Sequence, residues 1–381
     1  MDKSLRGSAA IVGVATAGIG EAPGRSSLEL LAEAVNGALA DAGLALDEVD
    51  GLFCNTSVHS HPALSVGEYL GLRPRYSESS SLGGSSFIGY ALTAAMALQL
   101  GLCNVALICY GSNQRTALGK LAAKGGSQDY EAPYRPRHPI TSFALATSRH
   151  MHEYGTTREH LASVAISARQ WAGLNPEAFM REPLTLADVL NARMISDPIT
   201  TRDCCLVTDG AGAVIMVRSE RARDFPQPPA YFLGGAIAHW HMQVDQMERI
   251  TQTAATDSGA RAFAMAGLTP TDVDVLQIYD AFTINIPLAL EDLGFCQKGE
   301  GGPFVADGRI APGGPLPVNT NGGGLSCCHP GQYGVFTLIE ATRQLRGECG
   351  PRQVANARVA LCHGNGGRLA SQTTALLGSE I

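Results

Sequence analysis

The chain repeats itself, and that limits its fold more than any other feature. Residues 42–52 (AGLALDEVDGL) and 266–276 (AGLTPTDVDVL) align without a gap, and Ala38 and Ala40 match Ala262 and Ala264 at the same offset. In each copy an Ala-rich amphipathic helix ends near the glycine, and an acidic connection feeds an apolar strand, 52–54 or 275–279. A second pair follows in the same order, VALICYG at 105–111 and VALCHG at 359–364. Helices alternating with β-rich strands imply parallel sheets covered by helices. Two such sheets related by duplication predict an α/β fold layered α/β/α/β/α.

The halves are expected at 1–225 and 226–381. The Pro-rich segment 225–229 (FPQPP) breaks both helix and ladder and marks the boundary. Residues from about 114 to 200 have no counterpart in the second half and read as a helical insertion over one end of the sheet. After it, 204–218 (CCLVTDGAGAVIMVR) reads as a buried strand.

Composition narrows the function. Of 381 residues 45% are apolar, only 17% are charged and 44 are glycine, which points to a large interior with close backbone approaches and to surface hidden in an oligomer. A net charge of −7 excludes a general nucleic-acid binder; an anionic ligand would need a local basic pocket. The N-terminus lacks the layout of a signal peptide, and no apolar run approaches the ~18 residues of a membrane span. The ten cysteines include the neighbours Cys204–Cys205 and Cys327–Cys328 but no CxxC. The paired histidines His59/His61 and His239/His241 lack acidic or cysteine partners nearby. A reduced, cytoplasmic, metal-free chain is expected.

In open parallel sheets ligands collect beyond the carboxyl ends of the strands. Four segments fall at such ends: SLGGSS (81–86), YDAFT (279–283), GGGLSCCHPGQYG (322–334) and CHGNGG (362–367). In order and spacing they resemble the catalytic segments of the thiolase superfamily, over essentially the whole chain. The likeness is greatest to the sterol-carrier-protein-type thiolases and their lipid-transfer relatives. It places Ser81 at the nucleophilic cysteine, Tyr279 at the Asn or His of the NEAF/HDCF segment, His329 in the GHP position and Cys362 in the C-x-G segment.

Two departures from the thiolase pattern bear on mechanism. Ser81 replaces the cysteine, and a serine needs a dedicated base to attack a thioester. Tyr279 and Tyr333 add phenols, which with a histidine can move protons and hold an oxyanion without covalent catalysis. That set resembles the thiolase-fold retro-aldolases of steroid side-chain degradation, which cleave a 3-hydroxyacyl-CoA into a carbonyl compound and a shorter acyl-CoA. The resemblance implies that Tyr279 or Tyr333 takes the 3-hydroxyl proton, helped by Asp280 or His329. His329, with His363 and backbone amides around Gly366, would hold the enolate oxygen, and the second tyrosine would reprotonate it. Which of Cys362 and His363 faces the site depends on a one-residue register. Gly323, Gly324 and Gly366 allow close approach to substrate.

The CoA thioester is the substrate and no separate cofactor is expected. Arg135 and Arg137, with Arg149 and Arg158, are candidates to meet its phosphates. The resemblance also implies a homodimer, with the strand at 105–110 pairing across the dimer axis, and a small OB-fold, zinc-ribbon companion protein. Two other readings stay open: a thiolase using Cys327, Cys328 or Cys362 as nucleophile, and a non-catalytic acyl-CoA or lipid-binding subunit.

Overall fold

Each repeat unit is a strand, a helix and further strands whose apolar faces cannot be hidden alone, and the fold follows from pairing the two. The computed structural model describes residues 5–56, 58–119 and 130–381. The first half runs β1 (Ala9–Gly20), α1 (Ser27–Ala42), β2 (Gly51–Cys54), α2 (Pro62–Leu70), β3 (Tyr76–Glu78), α3 (Ser85–Gln99) and β4 (Val105–Ser112). Next come α4 (Gln114–Leu118), α5 (Ile140–Tyr154), α6 (Arg158–Gly173), α7 (Leu186–Leu190) and the short strands β5 (Met194–Ser196) and β6 (Ile199–Thr200), before β7 (Asp209–Arg218). The second half runs β8 (Ala230–His239), α8 (Ala255–Ala266), β9 (Val275–Ile278), α9 (Asn285–Asp292) and α10 (Gly301–Val305). A π-helical turn (Gly323–Cys327), α11 (Gly334–Arg346), β10 (Val359–Gly366) and β11 (Ser371–Gly378) complete it.

Nine strands hydrogen-bond in the order β3-β2-β4-β7-β1-β8-β11-β10-β9. Read outward from the β1–β8 seam, both sides follow one plan. The sequence β1-β7-β4-β2 is answered by β8-β11-β10-β9, with the pairs β2–β4 and β9–β10 parallel and the inner pairs antiparallel. Even β3 has an equivalent: Val318 forms a parallel bridge with Leu276, held by Leu276 N–H to the Pro317 carbonyl (3.0 Å) and Asn319 N–H to the Leu276 carbonyl (2.8 Å). The expected duplicated, layered fold is borne out.

The layering has a physical cause. Helices α3 and α11 pack on each other and on strands of both sides, so they need apolar surface nearly all round. Phe87, Ile88, Tyr90, Ala91, Ala94, Ala95 and Leu98 of α3 are fully buried, as are Val335 and Leu338 of α11. The outer helices α1 and α8 instead bury one face against their own strands. Both do so over a glycine. A Cβ on Gly13 of β1 would overlap the Ala38 carbonyl and lie 2.8 Å from the Ala42 Cβ; one on Gly234 of β8 would lie 2.5 Å from the Ala262 oxygen and 2.8 Å from the Ala266 nitrogen. Of the alanines that match in the repeat, Ala38 and Ala42 and their counterparts Ala262 and Ala266 are therefore the contact points of helix on strand, whereas Ala40 and Ala264 are exposed.

Two expectations need correction. The strand at 105–110 does not pair across a dimer axis: β4 lies between β2 and β7, both of its edges taken within the chain, and the free edge of that half is β3. The strand expected from 204 begins only at Asp209, because residues 204–208 turn aside to bond the site loops, with Cys205 N–H on the Ala281 carbonyl and Leu206 N–H on the Gly324 carbonyl (both 2.9 Å). Among the described residues no helix is long and apolar enough to cross a membrane.

The inserted helices are tied to the second half by a buried ionic cluster. His150 of α5 meets Glu291 of α9 at 3.0 Å, and Lys298 meets Glu291 at 3.0 Å and Asp292 at 2.6 Å. Removing one partner of such a cluster strands a buried charge.

Because the gap between helix and strand admits no side chain, Gly13→Ala and Gly234→Ala are each expected to lower unfolding stability by about 1–3 kcal/mol. Urea midpoints of the two variants measure this.

Candidate functional site

The site forms where parallel β9 and β10 end and where α3 and α11 begin. Its segments meet at positions that tolerate no Cβ. One built on Gly84 would sit inside the Tyr279 ring, one on Gly334 would strike the Gly84 carbonyl, and one on Gly366 would strike the Leu82 carbonyl. One on Gly364 would lie 2.8 Å from the Ser85 Cα. Glycine is required by this close approach of backbones, which brings three of the four sequence segments against Tyr279.

Tyr279 follows β9, and its hydroxyl lies 2.6 Å from Nε2 of His329. His329 is held from three sides. Its backbone N–H donates to the Thr208 hydroxyl (2.9 Å), its carbonyl accepts from Gln114 Nε2 (2.9 Å), and the Tyr110 hydroxyl donates to the next carbonyl, Pro330 (2.5 Å). Asn55, just past β2, donates to Gln332 at 3.0 Å. The loop carrying His329 is thus pinned by the first half of the chain.

Burial lowers the His329 pKa to about 4, so the ring is neutral near pH 7. Its Nδ1 has no hydrogen-bond partner among the described residues, yet the nearby Leu206 carbonyl favours a proton on the ring. In the tautomer protonated at Nδ1, the Nε2 lone pair accepts from the Tyr279 hydroxyl. Tyr333, the N-cap of α11, donates to Asn321 Oδ1 at 2.8 Å, and its ring centroid lies 5.8 Å from that of Tyr279. Burial raises both phenols well above their ordinary range.

The remaining predicted residues fall out as follows. Asp280 is fully buried, and burial raises its carboxyl to about 7 against the opposing hydrogen bond from Gly324 N–H, 2.6 Å away. It is not the partner of the Tyr279 hydroxyl. Gly323, at φ +64°, and Gly324 wrap this carboxylate, and a Cβ on Gly323 would overlap it. Cys362 and His363 are both buried, on opposite faces of β10. The Cys362 thiol points at the Thr337 carbonyl (3.5 Å) in the apolar layer shared with Tyr279 and Tyr333, and burial raises its pKa far above the usual thiol value. His363 has both ring nitrogens bonded, to Thr374 (3.0 Å) and Gln372 (2.9 Å), and burial lowers its pKa to about 4. It lines a small cavity with Tyr279, Asn285, Asn365 and Leu369.

Ser81 is exposed in the loop before α3. The imidazoles nearest the site commit Nε2 to Tyr279 and Gln372, not to Ser81. Arg135 and Arg137 are exposed on the insertion, whereas Arg149 pairs with Glu153 (2.7 Å) and Arg158 with Asp203 (2.7 Å). Reading the sequence missed Thr208, Gln114 and Asn321, which hold the catalytic candidates in place. Only Asn321 carried a signal, since Asn before Gly marks a turn.

A duplicated five-layer α/β fold with these segments at the ends of β9 and β10 defines the class: the chain belongs to the thiolase superfamily. The family described as thiolase C-terminal domain-like matches residues 236–379. Within the superfamily the chain is similar to lyases. It is 37% identical to a steroid side-chain-cleaving aldolase of Thermomonospora curvata, covering 90% of this chain and 91% of that one. It is 34% identical to the 17-hydroxy-3-oxo-4-pregnene-20-carboxyl-CoA lyase of Mycobacterium tuberculosis, covering 90% and 92%. It is also 35% identical to an acetyl-CoA acetyltransferase of Methanothermobacter thermautotrophicus, covering 94% and 96%. Among solved structures, the Ltp2–ChsH2(DUF35) aldolase superposes with a TM-score of 0.90 at 34% identity, covering 99% of both chains.

Two outcomes are expected from this geometry. Gly84→Ala would drive the Tyr279 ring off His329 and abolish turnover, which a steady-state assay reads once a substrate is in hand. The second concerns pH. The two imidazoles with pKa about 4 bind protons more readily unfolded, so they lower stability as pH falls from about 6.5 to about 4. Asp280, raised to about 7, works in the opposite sense between about 4 and 7 and offsets one of them. Urea midpoints should therefore fall with acidification, and His363→Gln should flatten that fall by roughly 2–3 kcal/mol between pH 6.5 and 4.5.

Proposed function

We propose that the chain cleaves a 3-hydroxyacyl-CoA by a retro-aldol reaction, giving a ketone or aldehyde and a shortened acyl-CoA. The observation that carries this reading is the Tyr279–His329 contact at 2.6 Å. A free phenol, pKa about 10, is a poor base at neutral pH. A neutral imidazole bonded to it supplies the missing acceptor. Tyr279 takes the 3-hydroxyl proton while its own passes to Nε2 of His329. The C2–C3 bond then breaks, the carbonyl fragment leaves, and a thioester enolate forms that takes a proton at C2 from the Tyr333 hydroxyl; the proton gained by His329 balances the one Tyr333 gives. The names of the lyases at 34% and 37% identity support the same chemistry.

Acyl transfer through a cysteine is less well supported by the site. Burial pushes the Cys328 and Cys362 thiols up, away from the thiolate that is the nucleophile, and the His329 and His363 Nε2 atoms bond Tyr279 and Gln372, not Ser81. The acyl group is proposed to be bulky, as the steroid named for the relatives suggests. Arg135 and Arg137 are proposed to meet the CoA phosphates. The DUF35 component of the similar solved aldolase supports a companion protein for this chain too, and the chain is proposed to work as a homodimer.

Product analysis tests the reading. The protein, with any copurifying companion, is incubated with 3-hydroxyacyl- and 3-ketoacyl-CoA esters, with and without free CoA. Release of a carbonyl compound and a shortened acyl-CoA without free CoA is expected. Cleavage of the 3-keto ester alone, and only with free CoA, would make the chain a thiolase; tight binding with no turnover would make it a binding subunit. Tyr279→Phe should lower kcat on the order of 100- to 10,000-fold, and iodoacetamide should leave activity unchanged. Replacing Arg135 and Arg137 by Ala should raise KM for the CoA ester several-fold with kcat preserved.

A further inference from the structure

We propose that the small pocket between the start of α9 and the β10–β11 turn is a subsite that reads one neutral oxygen of the acyl group, a carbonyl or a hydroxyl, through the carboxamide N–H groups of Asn285 and Asn365. This rests on the retro-aldol reading and goes beyond it, since that reading assigns no residue to the acyl group.

The hydrogen bonds settle which way each amide around the pocket faces. Gln372 Nε2 lies 3.2 Å from the Leu369 carbonyl, where only a nitrogen can donate. It also lies 2.9 Å from the Asn365 side chain, so the atom it meets there is Oδ1. Phe282 N–H donates to Asn285 Oδ1 at 2.9 Å. Both asparagines thus commit their oxygens to the protein, and each keeps an NH2 group with no partner among the described residues. Both line the pocket. Asn285 is 5% exposed and Asn365 4%, so the pocket is where those donors find an acceptor.

The other polar side chains there are already engaged. Gln372 Oε1 lies 2.9 Å from His363 Nε2, so that nitrogen carries the ring proton and donates it, and Nδ1 accepts from the Thr374 hydroxyl at 3.0 Å. Thr253 donates its hydroxyl to Asp292 at 2.8 Å. Ile278, Leu288 and Leu369 make apolar wall. Neutral donors in apolar surroundings suit a neutral acceptor and not a phosphate or a carboxylate, whose charge would lie there unpaired. The pocket is small, so it takes the oxygen and not the ring or chain that bears it.

The placement says which oxygen this is. A Cβ on Gly364 would lie 2.8 Å from the Ser85 Cα, and one on Gly366 would strike the Leu82 carbonyl, so these glycines face inward to α3. His363 and Asn365 alternate with them along β10 and face outward. The Tyr279 hydroxyl meets His329 on the inner side, in the layer shared with α3. A substrate whose 3-hydroxyl meets Tyr279 reaches the pocket only across the strand ends. The oxygen read there therefore lies on the acyl group, away from the reacting carbons.

Binding without turnover tests this. Acyl-CoA esters that lack the 3-hydroxyl cannot undergo the cleavage, and they are compared in matched pairs, a ring ketone or ring alcohol against the parent hydrocarbon. Calorimetric titration of the protein, with any copurifying companion, gives each Kd. In at least one pair the oxygenated ester is expected to bind about tenfold more tightly or better. Asn285→Asp keeps the bond from Phe282 N–H and, at about pH 8, offers a carboxylate that only accepts. Asn365→Leu removes the other donor at similar shape. Each should bring the preference within about twofold. Two results would overturn the proposal. One is a parent that tells no pair apart; an ordered water between the two amides in a crystal structure would then make the pocket a water site only. The other is a pair of variants that weaken both esters equally, which would give the amides to the thioester oxygen or to the fold. If the parent enzyme cleaves no 3-hydroxyacyl-CoA, the lyase reading fails, while the paired titrations still decide whether the pocket reads an oxygen.

Discussion

The site depends on backbone meeting backbone at the first turn of α3. Gly83 and Gly84 lie between the end of β10, the Tyr279 ring and the start of α11, with no side chain between them. A methyl group anywhere in that contact would part the two halves of the chain by an ångström or more at the point where their functional groups meet. The abundance of glycine follows from the architecture. Two helices enclosed by sheets on both sides must come close to something, and here they come close to each other and to the strand ends.

Burial then sets the chemistry. The groups proposed to move protons are almost fully removed from water, so each is held in its uncharged form: two neutral phenols and the neutral His329 imidazole, with a second neutral imidazole, His363, and the Asp280 carboxyl, raised to about 7, beside them. Charge at such a site is costly unless it is passed on at once. That favours a concerted proton transfer from substrate through Tyr279 to His329 over a long-lived tyrosinate. The same desolvation that keeps the imidazoles neutral keeps the Cys328 and Cys362 thiols protonated, away from the nucleophilic form.

Much of this was legible in the sequence, for a definite reason. Repeated Ala and Gly positions record where helices touch strands, and Ala38, Ala42, Ala262 and Ala266 are indeed contact points in the structure. The site segments could be read because each is short and ends a strand. What could not be read was pairing across distance. Asp280 adjoins Tyr279 in the chain, but the phenol bonds His329, fifty residues away, while the carboxylate turns to Gly324. The strand at 105–110, which the resemblance would pair across a dimer axis, is covered by β7, a hundred residues later, and nothing local in the sequence says so. The facing of Cys362 and His363 depends on the register β10 takes with β9, which is likewise distant in sequence.

The pairing of Asn55 with Gln332 shows what duplication has permitted. Asn55 stands at the end of β2, facing the start of α11, as Tyr279 stands at the end of β9, facing the start of α3. These are the same place in the two copies. One copy places a phenol there, bonded to His329; the other places a carboxamide, Asn55, which fastens the His329 loop through Gln332. In an assembly of identical subunits both places would have to share one set of residues. Joined in a single chain they diverged, one toward reactivity and the other toward holding its neighbour still.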